Sequence, residues 1–89
     1  MQDGTYLFKN GSFLRIEATE GYWVATRETE LSNLKDGQII GVWLDPETGK
    51  TWLDETSFVG DLATATITAK AYDQIAIWDN ANQATISTL

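Results

Sequence analysis

The 89-residue chain has no cysteine and no histidine, and only one proline and one methionine. Without cysteine, no disulfide can staple a small fold and no thiolate can hold a metal. Without histidine, Ser-His and Cys-His catalysis are excluded. Proton transfer would fall to carboxylates, Lys, Tyr or a chain terminus. Positive charge is also scarce: six Lys and Arg stand against thirteen Asp and Glu, for a net charge of −7. The basic residues Lys9, Arg15, Arg27, Lys35, Lys50 and Lys70 are scattered. Neither a phosphate backbone nor an anionic membrane would meet a basic patch. Long apolar runs are missing, so no transmembrane helix is expected. Met1-Gln2-Asp3-Gly4 lacks the basic and apolar regions of a signal peptide. These absences point to a cytoplasmic protein that contacts neither nucleic acid nor membrane directly.

What the chain does have is apolar and aromatic. Hydrophobic residues are 43% of it, with four Trp, three Tyr and three Phe, too many for a disordered tail. One domain over residues 1–89 is expected, with a thin stability margin at this size. The dominant hydrophobic period is two, and turn signals recur about every ten residues, which reads as strands and hairpins. The expected fold is all-β: a small antiparallel barrel or two-sheet sandwich of about 7–8 short strands.

Two hairpins carry a definite register. Asn10-Gly11 suits a two-residue type I′ turn, which sets Lys9 opposite Ser12, Phe8 opposite Phe13 and Leu7 opposite Leu14. Both faces of this hairpin are apolar near the turn, so burial on both sides, or curling into a barrel, is expected. Around Pro46-Glu47-Thr48-Gly49, a four-residue loop sets Asp45 opposite Lys50, Trp43 opposite Trp52 and Val42 opposite Leu53. Glu20-Gly21 marks a further turn, and the register of the 12–19/22–28 pair stays open between a two- and a three-residue loop. Residues 29–36 break the alternation and allow one short helical turn. From Leu62 to Tyr72, alanines alternate with threonines, which reads as a strand. A turn at Asp79 to Asn82 would set Ile75 against Ile86 and Ile77 against Ala84.

No catalytic or metal constellation emerges. Asp54 and Glu55 are adjacent on a strand and point to opposite faces, so they cannot flank one bond. Asp45, Glu47, Asp54, Glu55 and Asp61 crowd one stretch without the spacing of a calcium loop. The chain is expected to be no enzyme and to carry no cofactor and no metal.

The aromatics are the better lead, because Trp and Tyr concentrate at interface hot spots. In the second hairpin Ile40, Val42, Leu44 and Leu53 share one face, and Ile39, Trp43 and Trp52 the other. Either the aliphatic face is the core and the Trp pair is open, or the reverse. The first arrangement defines the candidate partner-binding set: Trp43 and Trp52, rimmed by Asp45, Glu47, Asp54 and Glu55. An aromatic centre with an acidic rim suits a basic protein surface. The function expected is a non-catalytic acidic protein-binding module. Its sharper form is an intracellular, phage-type inhibitor that occupies a basic surface of a nucleic-acid-binding partner. The alternative is an assembly subunit, a homo-oligomer formed through strand edges or aromatic faces.

Overall fold

The computed structural model describes residues 1–89. Seven strands form: β1 (Gly4–Lys9), β2 (Ser12–Ile16), β3 (Tyr22–Thr29), β4 (Ile39–Leu44), β5 (Thr51–Val59), β6 (Ala76–Asp79) and β7 (Ala84–Ser87). A 3₁₀ turn covers Leu31–Asn33, and one helix, α1, covers Leu62–Ala71. The strands belong to one sheet in the order β2-β1-β4-β5-β3-β6-β7, and it is not closed. The all-β expectation therefore holds for the strands. The pairing describes neither a barrel nor two sheets, and one segment read as a strand is a helix. No helix is long and apolar enough to cross a membrane.

The chain gathers into two compact units. The first comprises Met1–Glu17 and Arg27–Glu55, and the second Ala18–Thr26 and Thr56–Leu89.

In the first unit, β1 pairs with β2 in the expected register, Lys9 with Ser12 through Thr5 with Ile16. Asn10 has φ 52° and Gly11 φ 75°, the left-handed pair that a type I′ turn demands and that Asn-Gly supplies at least cost. β1 also pairs with β4, Tyr6 opposite Ile40. The second hairpin matches its expected register, with Trp43 opposite Trp52 and Val42 opposite Leu53. Its loop closes through Asp45 N–H to Lys50 O and Gly49 N–H to Asp45 O, both 2.8 Å. Tyr6, Ile40 and Val42 form the core, with Phe8, Phe13, Leu34 and Leu53 packed against it. Phe13 stands edge-on to both Tyr6 and Phe8. The first hairpin is buried on this side only. Leu14, on the other side, is 55% exposed, which corrects the expectation of burial on both faces. The helical turn expected in 29–36 is the 3₁₀ turn. Of its two leucines, Leu34 reaches the core and Leu31 is exposed.

In the second unit, α1 replaces the strand expected over 62–72. Asp61 caps it, its carboxylate accepting from Thr64 N–H at 2.8 Å. Ala65 and Ala69, one helical turn apart, are fully buried with Val24 and Ile77, and the helix packs on β6. Its polar residues are satisfied locally: the Thr66 and Thr68 hydroxyls donate to the carbonyls of Leu62 and Thr64. After the helix Asp73 takes φ 56°. Asp73 N–H and Gln74 N–H then return to the carbonyls of Lys70 and Ala69, as in a Schellman cap.

The hairpin β6–β7 forms, but Ile77 faces Ile86 and Asp79 faces Ala84. That is two residues away from the expected pairing. Asp79 stays in the ladder and the loop falls on residues 80–83. The Asp79 carboxylate accepts from Ala81 N–H and from both the backbone and the side-chain amide of Asn82. Gln83 supplies a positive φ of 49° before β7 begins. A hairpin between β2 and β3 does not form: β3 pairs with β6, Trp23 opposite Trp78, and β2 lies at one edge of the sheet.

Candidate functional site

Alternation along β4 decides which face of the second hairpin is open. Ile40 and Val42 are buried, so Ile39, Gly41 and Trp43 project to the other side. Directly paired residues of an antiparallel ladder share a face. Register therefore places Trp52 beside Trp43, Asp54 beside Gly41, and Leu7 and Leu14 beyond Ile39. Trp43 is 51% exposed. Of the two orientations open from the sequence, the structure has Ile40 and Val42 in the core with Leu53 packed against them, while Leu44 is 44% exposed and Trp43 faces outward.

Trp52 is half-buried, and its indole Nε1 is buried without a hydrogen-bond partner. An orphaned donor of this kind costs on the order of 1–3 kcal/mol. The ring face is covered by the ammonium of Lys50, 3.6 Å from the ring centroid. Lys50 Nζ also lies 3.9 Å from Glu28 Oε1. Asp54, next along the same face, has its carboxyl pushed above the usual range. Partial burial is the main cause, and the negative charge of Glu28 adds to it.

The other acidic residues of the expected set do different work. Asp45 shapes the loop, its Oδ1 accepting from Glu47 N–H at 2.9 Å. Glu47 stands exposed at the loop tip. Glu55 pairs with Ile40 and so belongs to the opposite face from Asp54. Its Oε1 accepts from Gln38 Nε2 at 3.1 Å, and its Oε2 meets Arg27 Nε at 3.3 Å. Gln38 in turn accepts from Lys35 N–H at 2.8 Å. These residues line an open polar cavity of about 550 Å³ together with Glu28, Thr29, Glu30 and Asn33. Glu55, Arg27, Gln38 and the Lys35 amide satisfy one another there, which ties the loop before β4 to β3 and β5.

The structure thus brings together Trp43, Trp52 and Asp54, leaves Asp45 and Glu47 in the adjoining loop, and separates Glu55. Glu28 and Lys50 were missed from the sequence. Lys50 was legible, because it stands two residues before Trp52, at the entry to β5, where extended backbone puts both on one face. Glu28 was not, since it comes from β3, whose neighbours the sequence did not disclose. No group of three or more Asp and Glu side chains is placed to hold a metal ion. No protein-family model, no curated protein and no solved structure matches the chain.

Proposed function

We propose that the chain is a non-catalytic acidic binding module that docks a basic protein surface on the outer face of β4 and β5. The observation that carries this reading is the half-exposed Trp43, opposite Trp52 and on one face with Asp54, whose carboxyl feels the charge of Glu28. A large aromatic left in water, on one face with a carboxyl held at some electrostatic cost, is better explained by contact than by stability. The net charge of −7 would speed encounter with a basic partner. The sharper form is an intracellular, cytoplasmic inhibitor in which carboxylates take the places of phosphates on a nucleic-acid-binding protein.

The test is affinity capture from a cell lysate at low and high salt, with the captured proteins identified. Basic proteins retained at low salt and shed at high salt support the reading. Retention indifferent to salt, or capture of acidic proteins alone, contradicts it. A self-assembly reading draws on the sheet edges β2 and β7, since β2 carries the exposed Leu14. Light scattering after size exclusion separates the two: a monomer at high concentration removes the assembly reading.

A further inference from the structure

We infer that the outer face of the β4–β5 hairpin contains a seat for a cationic side chain, and that Lys50 occupies this seat in the free protein. The inference rests on the proposed docking of a basic partner and names the chemical group recognised there. The Lys50 ammonium lies 3.6 Å from the centroid of the Trp52 ring and 3.9 Å from Glu28 Oε1. An aromatic face and a carboxylate converging on one point are the two attractions that hold an alkylammonium or a guanidinium. The seat is built on strands: Trp52 is fixed by the ladder opposite Trp43, and Glu28 stands on β3. Its occupant is different in kind. Lys50 is the last residue of a loop, its side chain is 54% exposed, and its stem is a flexible four-carbon chain.

Arg15 shows what a fixed cation looks like in the same unit. Its guanidinium also lies over a ring, that of Tyr6, at 5.8 Å. There it donates to Asp3 O and to the Tyr6 hydroxyl and meets Glu17. An exposed ion pair such as Lys50–Glu28 holds only weakly. A partner's Arg or Lys, delivered with further contacts to Trp43, would displace Lys50 and take its place. Arg is the better occupant, because its planar head stacks on an indole.

The test uses the isotope-labelled whole chain and small cations. n-Butylguanidinium and n-butylammonium are titrated at constant ionic strength while the indole N–H of Trp52, assigned with Trp52→Phe, is followed by NMR. N-Butylacetamide is the neutral control. Lys50→Gln empties the seat, and its affinity for both cations is expected to rise by at least about threefold over the parent. The neutral control should move nothing. Lys50→Met, which removes the charge but keeps an apolar stem, should also bind both cations more tightly than the parent, by less than Lys50→Gln where the stem still covers the ring, and guards against a fold lost through packing. Equal affinities in parent and variants, no response of Trp52 in either variant, or an equal response to the neutral control would overturn the inference. A seat found in a protein that captures no basic partner contradicts the proposed function alone. A basic partner bound without any effect of Lys50 contradicts the seat alone.

Discussion

Each unit carries tryptophan on the side of its strands away from its aliphatic core, and the two treat it differently. In the second unit Trp23 follows Tyr22 and precedes the buried Val24. Its ring is met edge-on by Phe58 at 5.5 Å and is itself 9% exposed. Phe58 lies so close over Gly21 that a Cβ there would sit 2.3 Å from its ring. In the first unit Trp43 is 51% exposed, and a face of the half-buried Trp52 carries the Lys50 ammonium. The carboxylates divide the same way. Asp61 and Asp79 are held below the usual range, Asp61 chiefly by the Thr64 backbone N–H and Asp79 chiefly by the Asn82 side chain. Asp54 is held above it. Trp23, Asp61 and Asp79 find their partners within the second unit, whereas Trp43 stays half-exposed and Asp54 is held at a cost, the contrast on which the proposed contact surface draws.

That contrast can be broken at several points. The largest effect is expected for Ile40→Ala, which removes a fully buried side chain from the core of the first unit. It should lower stability by about 2–5 kcal/mol in denaturant unfolding. Gly21→Ala should come next, at about 1–2 kcal/mol, because it puts a side chain at a backbone φ of +72° and pushes the half-exposed Phe58 ring off its contact with Trp23. A neutral effect would show that Phe58 is not clamped over Gly21.

The carboxylates give smaller effects of opposite sign. Asp61→Ala removes the cap of α1 and should lower the Tm by several degrees at neutral pH. Because the Asp61 pKa is depressed, the unfolded chain binds the proton more tightly. Its stabilisation is present above the ordinary value of 3.8 and is lost as pH falls through the depressed pKa. The difference between parent and variant should therefore shrink in acid. For Asp54 the native state binds the proton more tightly, so stability falls as pH rises from 3.8 through its elevated pKa. Asp54→Asn should leave the Tm unchanged or slightly raised at neutral pH and remove that slope. A lower Tm for Asp54→Asn at neutral pH would mean that the ionised carboxylate stabilises the fold, as those of the second unit do.

How much of this was legible in the sequence depended on local chemistry. Asn10-Gly11 and the loop from Pro46 to Gly49 each demand a turn that only a few residues satisfy, and both hairpin registers follow from them. The segment 62–71 misled because Ala and Thr alternate there, while the burial that counts is Ala65 and Ala69 at helical spacing. Asp61 three residues before Thr64 was the available signal. The β6–β7 register differs by two from the one a turn at Asp79 to Asn82 implies, because Asp79 pairs with Ala84 while its side chain shapes the loop. β3 could not be placed, since its partnership with β6 is made across more than fifty residues of chain. Of the site, the Trp43–Trp52 pairing was readable from the loop. Its outward orientation needed the burial of Ile40 and Val42, and the approach of Glu28 needed the sheet order.

The most direct test of the contact surface compares two exposed tryptophans, Trp43 at 51% and Trp78 at 41%, by titrating the captured basic partner against Trp43→Ala and Trp78→Ala. The account predicts that Trp43→Ala weakens binding by about tenfold or more, while Trp78→Ala binds as the parent does. Full affinity in Trp43→Ala, or the loss appearing in Trp78→Ala instead, would contradict it.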